Sequence, residues 1–150
     1  MQKVSKELVD GIYTLVNLLH IQIIEKSGGE QGIRDEGGLF HSLYKVLQKV
    51  KTEKIIPSAI AAFAYKEIAR KHHFMDGNKR TAHLVASIAL FLRGYQLSIE
   101  YKESTNFIIQ IAAYNSEITT KQIQKWVEEN LQKLETKDMG KYLNKILHTL

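Results

Sequence analysis

His72-His73-Phe74-Met75-Asp76-Gly77-Asn78-Lys79-Arg80 is the stretch of this chain whose residue types and spacing could do chemistry. It offers a histidine, a carboxylate and a Gly-Asn-Lys-Arg run placed where a helix would begin. The first N–H groups of a helix have no internal acceptor, and with the positive dipole end they form an anion site. Gly77 lets a phosphate approach the backbone closely. The N–H groups of Gly77, Asn78 and Lys79 form the expected cradle, with the Asn78 side-chain amide as a further phosphate contact. Lys79 adds a point charge, and Arg80 adds a fork matched to phosphate oxygens. Asp76 is an oxygen ligand of the kind Mg²⁺ takes together with phosphates; a turn-forming or N-cap role is its other reading. His72 is the candidate general base, at a helix C-terminus whose dipole favours its protonated form. Its bland alternative is a hydrogen-bonded core histidine. Phe74 reads as an apolar pin, and His73 as a neighbour without a role of its own.

Two helices must hold these groups. Ile60, Phe63, Ala64 and Ile68 fall on one helical face, and Pro57 suits a first turn, so a helix is expected over 57–72. Leu84 to Leu92 is apolar nearly all round, which predicts a helix over 78–93 that is buried on every side and broken at Gly94. Asp76-Gly77-Asn78 is the tight turn between them.

The order His-x-Phe-x-Asp-Gly-Asn-Lys-Arg resembles the Fic/Doc motif, in the variant with Lys after Asn that is typical of death-on-curing (Doc) toxins. His20, Gly28-Gly29 and Gly32-Ile33-Arg34-Asp35-Glu36-Gly37 resemble the N-terminal signature of Doc-like proteins. The resemblance covers residues 8–133.

Composition bounds the rest. A chain of 150 residues at 44% hydrophobic suits one well-cored domain, expected over 1–150. One proline, few glycines and helical periodicities predict an all-α fold of six to seven helices. With no cysteine there is neither a disulfide framework nor a thiolate site, which fits a reducing compartment. No segment reads as a signal peptide, and the longest apolar run, Leu84–Leu92, is too short to span a bilayer. A cytoplasmic protein without a membrane partner is therefore expected. The net charge of +5 fits simple solubility, a nucleotide or an acidic protein partner. Nucleic acid is the weakest of these readings, because the lysines are scattered without interleaved aromatics. No zinc-spaced cluster and no Walker-type phosphate loop occur.

Along the chain, Leu8, Ile12, Leu15, Val16, Leu19 and Ile23 predict a helix from Ser5, its cap, to Lys26. Residues 27–38 carry five of the nine glycines and read as a functional loop. Within it, Arg34 and Asp35 form either a structural ion pair or a substrate contact. His20 is expected to brace this loop. Further helices are expected over 39–50, over 104–116, and from a Thr119/Gln122 capping box through Leu134. Trp126 reads as a core anchor. Residues 138–150 predict an amphipathic helix that packs on the core or mediates self-association, because thirteen residues are marginal alone.

What the resemblance implies is a compact helical domain that uses ATP, with Mg²⁺, to modify a hydroxyl on a target protein. Most Fic members carry Gly after the Asn and a second Arg three positions beyond the first, and transfer AMP. This chain has Lys79 and His83 there. Doc toxins are instead kinases that phosphorylate the elongation factor delivering aminoacyl-tRNA and are held inactive by a small cognate antitoxin. The resemblance thus implies γ-phosphoryl transfer to a translation protein. AMP transfer is the second reading, and an inert partner-binding module is the third. Self-inhibited Fic proteins carry Ser/Thr-x-x-x-Glu-Gly/Asn; the nearest run here, Lys125 to Asn130, begins with the wrong residue, so inhibition in trans is expected.

Overall fold

The computed structural model describes residues 3–149. Seven α-helices are found among them: α1 (Lys6–Ser27), α2 (Glu36–Val50), α3 (Pro57–Lys71), α4 (Asn78–Leu92), α5 (Tyr101–Ala112), α6 (Thr120–Glu129) and α7 (Met139–Thr149). A two-stranded antiparallel sheet pairs β1 (Tyr95–Leu97) with β2 (Leu131–Lys133), Tyr95 opposite Lys133. The all-α expectation holds, with this small sheet added.

The centre is the α3–α4 pair, the most extensively packed pair in the molecule. Ala61, Ala62, Ala64 and Ala69 on α3 and Ala82, Ala86 and Ala89 on α4 are all buried, and short side chains bring helix axes close. Around them α3 also meets α2, α5 and α6, while α1, α5 and α7 cover α4. The helix α1 is long and apolar enough to cross a membrane by length and composition, a property that the length of the longest apolar run misses. In the fold one face of it packs on the core, with Val9, Val16, Leu19, Ile23 and Ile24 buried, and Ser5 caps it by accepting the Leu8 N–H (3.2 Å).

Three boundaries depart from expectation. The helix α2 starts at Glu36, not Leu39, because Asp35 caps it through the Gly38 N–H (2.9 Å), so two of the loop's glycines are helical. The helix α5 runs from Tyr101 to Ala112, opened by a Glu100/Glu103 capping box. The Arg70 guanidinium closes its end by binding the Ile111 and Ile118 carbonyls. The helix α6 ends at Glu129 and does not continue through Leu134. Asn130 donates its side-chain amide to the Trp126 carbonyl (2.8 Å), and its own carbonyl accepts the Ser98 N–H (2.8 Å), which turns the chain into β2.

The C-terminal segment packs on the core. A 3₁₀ turn (Thr136–Asp138) leads into α7, whose Ile146 is buried and whose Tyr142 stacks on Phe91 at 6.4 Å. Leu143 is exposed, and Leu150, expected on the same apolar face, lies outside the described residues. Docking of α7 predicts that Ile146→Ala destabilises the protein by about 2–4 kcal/mol in chemical denaturation. An unchanged denaturation midpoint would mean that α7 contributes no packing.

Candidate active site

Six residues, 72–77, carry the chain from the end of α3 to the start of α4. The turn is fixed from inside. Phe74 is fully buried, its N–H donates to Asn78 Oδ1 and its carbonyl accepts from Asn78 Nδ2, both at 3.0 Å. The Asn78 amide is therefore engaged with the backbone of Phe74 through its oxygen and one of its two N–H bonds, a turn-closing role that the sequence reading did not give it. The imidazole of His20 stacks on Phe74, with centroids 3.8 Å apart, and its Nε2–H donates to the Asp76 carbonyl (2.7 Å). His20 thus braces the turn after Phe74 and not, as expected, the glycine-rich loop.

That loop is joined to the turn by other groups. Asp76 Oδ2 accepts the Glu30 N–H at 2.7 Å. Ile33 and Phe74 form a β-bridge, flanked by Arg34 N–H to His73 carbonyl (2.6 Å) and Met75 N–H to Gly32 carbonyl (3.0 Å). Glycine is needed where the two segments touch: a Cβ on Gly29 (φ 114°) would lie 3.1 Å from Asp76 Cβ. At Gly77 (φ 80°) a Cβ would lie 3.0 Å from Ile24 Cδ1 and 3.3 Å from His20 Nε2.

This architecture leaves the helix start open. Thr81 N–H bonds the Gly77 carbonyl (2.9 Å), so the N–H groups of Asn78, Lys79 and Arg80 precede the first helical acceptor. Gly77 holds the N-cap position, and no side chain caps the helix. Lys79 is exposed, and Arg80 lies over the Tyr101 ring at 5.0 Å. Beside Arg80 a cavity of about 210 Å³ opens between α4, α5 and α7, lined also by His83, Ser87, Tyr101, Tyr142 and Lys145.

His72 is exposed and adopts the left-handed conformation (φ 50°, ψ 54°), unlike every other non-glycine residue described. Such a backbone costs a residue with a Cβ about 1–2 kcal/mol. It is not the core histidine of the bland reading. Arg34 and Asp35 do not pair with each other: Asp35 caps α2, and the Arg34 side chain is exposed without a polar partner among the described residues. Asp76 keeps Oδ1 outside any hydrogen bond among the described residues, and no cluster of three metal-ligating side chains forms among them. One partly engaged carboxylate fits an ion such as Mg²⁺, which takes most of its shell from phosphates and water.

Two features escape sequence reading. His73 is buried, with Nε2 2.8 Å from Ser42 Oγ, and so is no accidental neighbour of His72. His83 is buried as well, its Nδ1 2.7 Å from the Tyr65 hydroxyl. Burial pulls its pKa down to about 4, against a small opposing effect of Glu100, so the ring is neutral near pH 7.

A sequence model of the Fic/DOC family matches residues 12–90, just over half of the chain and the whole of the segment that builds this turn. The chain belongs to the Fic/DOC family. Fic/DOC proteins are typically protein-modifying transferases that use ATP and usually Mg²⁺. No curated protein gives a significant match. The match spans His20, the glycine-rich loop and the motif, the three parts that the hydrogen bonds above join.

The buried His83 gives this Fic/DOC fold a calculable acid sensitivity. Its folded pKa lies below the unfolded value of 6.5, so the unfolded chain binds its proton first as pH falls. The contribution is intact above pH 6.5 and is lost progressively down to about pH 4. The expected slope is about 1.4 kcal/mol per pH unit from this group. His83→Asn, whose amide can still hydrogen-bond the Tyr65 hydroxyl, should reduce the slope of stability against pH by that amount. An equal slope in both proteins would contradict the assignment.

Proposed function

We propose that this protein is a Doc-like kinase that transfers the γ-phosphoryl group of ATP to a Ser or Thr hydroxyl of a translation protein, the elongation factor that delivers aminoacyl-tRNA. The observation that carries the reading is His83. It stands where AMP-transferring relatives carry a second arginine, and its ring is neutral, buried and tied to Tyr65. It offers no guanidinium fork to hold β- and γ-phosphates beyond the cradle. Lys79, in place of glycine, adds a charge at the rim of the cradle, where a terminal phosphate carries most charge.

In this reading His72 takes the proton of the target hydroxyl. The hydroxyl oxygen forms a bond to the γ-phosphorus as the bond to the β,γ-bridging oxygen breaks, and ADP leaves with that electron pair. The N–H groups of Asn78, Lys79 and Arg80, with the two side-chain cations, oppose charge on the transferring group. Asp76 is the residue that would hold Mg²⁺, which supplies further charge neutralisation when bound. Gly77, whose missing Cβ lets the turn pack on His20 and Ile24, sets the N-cap that leaves those N–H groups open, and exposed Arg34 is available to the protein substrate. Asp35 acts behind it as the α2 cap. Control is proposed to come from a small acidic antitoxin acting in trans, drawn by the +5 net charge, in the cytoplasm where the target resides.

The test is transfer from ATP labelled at either the α or the γ position onto the purified elongation factor, with wild type and His72→Ala. The expectation is γ label only, with loss of at least about a hundredfold in His72→Ala at unchanged ATP affinity. Label from the α position would replace this reading with AMP transfer. Full transfer by a folded His72→Ala would remove the base assignment.

A further inference from the structure

A polar cluster beneath the motif is unused by the chemistry above. Glu67, on the buried side of α3, receives Lys45, Lys71 (2.6 Å) and the Ser42 hydroxyl (3.0 Å) on Oε1. Ser42 Oγ in turn lies 2.8 Å from His73 Nε2, and His73 is 2% exposed. On the other side of the ring, Nδ1 is 3.8 Å from Asp35 Oδ2 and is buried without a hydrogen-bond partner among the described residues.

The protons in this chain can be assigned by exclusion. Burial alone would raise the Glu67 carboxyl, but hydrogen bonds from Lys45, Lys71 and Ser42 outweigh it and hold it below the usual range. As a carboxylate it only accepts, so the single Ser42 proton points to Glu67. Ser42 then offers a lone pair to His73, and His73 Nε2 must donate. Burial keeps the ring neutral, against the pull of Asp35, so Nδ1 is a bare acceptor facing a carboxylate. The ring is held from its Nε2 side alone.

The same residue is held through its backbone, since its carbonyl accepts the Arg34 N–H (2.6 Å) and the Asp35 N–H (3.1 Å). Its peptide nitrogen is joined to His72, whose left-handed conformation persists only where the surroundings over-determine it. We infer that His73, anchored through Ser42 to Glu67, is the positioning residue for His72, fixing the peptide that turns the His72 ring out of the core. The inference rests on the reading of His72 as the base.

Its test compares variants that differ in where they can donate. A Gln side chain places its amide nitrogen near the position of Nε2, whereas Asn places it near Nδ1. With ATP labelled at whichever phosphate transfers, His73→Leu, His73→Asn and Ser42→Ala should each lower kcat between about ten- and hundredfold, with ATP affinity unchanged. His73→Gln should stay within about threefold of wild type, and Ser42→Ala with His73→Leu should be no worse than either alone. Amide exchange at Arg34 and Asp35 should quicken in His73→Leu, a readout independent of any activity. Folded His73→Leu with wild-type kcat, or His73→Gln as impaired as His73→Leu, would overturn the inference. If His72→Ala retains full activity, it is the base assignment that fails, whatever the His73 variants show. Loss in His72→Ala with full kcat in both His73→Leu and Ser42→Ala overturns this inference alone.

Discussion

The two hydrogen bonds between the Asn78 amide and the backbone of Phe74 are the constraint on which the site depends. Both backbone groups of Phe74 are buried where water cannot reach them, and an unpaired buried N–H or carbonyl costs about 1–3 kcal/mol. One side chain satisfies both and closes the turn at a fixed size. From that point the constraints pass outward: Phe74 fixes the His20 ring, His20 holds the Asp76 carbonyl, and the Asp76 carboxylate holds Glu30. A loop that glycines would leave mobile is thereby ordered from the core. Because Asn78 looks inward, no side chain among the described residues caps the first turn of α4.

The helix α4 then has two tasks along its length. Its start leaves backbone N–H groups uncapped by any side chain, and its body is core, with every residue from Thr81 to Leu90 buried. Polar residues in that body must therefore find partners, and His83 does so with Tyr65. The pairing excludes the charged state that an arginine would bring to the same position. The C-terminal helix adds Tyr142, Lys145 and Ile146 as the far wall of the cavity beside Arg80.

Much of this was legible because local and tertiary signals agreed. Pro57 at the first turn, the Ile60, Ala64 and Ile68 face of α3, the all-round apolar run of α4, and the Ser5 and Thr119 caps each state a boundary or a buried face that the fold adopts. What stayed hidden depended on distant partners. Gly37 and Gly38 argue against a helix, yet Asp35 caps one there, and the cost is met by Leu39, Leu43, Val46 and Leu47 packing inward. Leu131 and Leu134 continue the helical spacing of α6, but pairing with β1 takes that segment instead. Ser42, Glu67 and His73 look like ordinary helix and loop residues; only the i,i+4 spacing of Glu67 and Lys71 hinted at a pair. Their meeting across α2, α3 and the turn has no signature in the linear chain.

The central claim is that the open first turn of α4 receives the nucleotide's phosphates. It is tested most directly by following backbone amide resonances while ATP and Mg²⁺ are added to the intact protein. The account predicts that the N–H groups of Asn78, Lys79 and Arg80 shift first and furthest, saturating together, while the Phe74 N–H, held by Asn78, shifts little. Saturable shifts elsewhere, with these three amides unmoved, would contradict it.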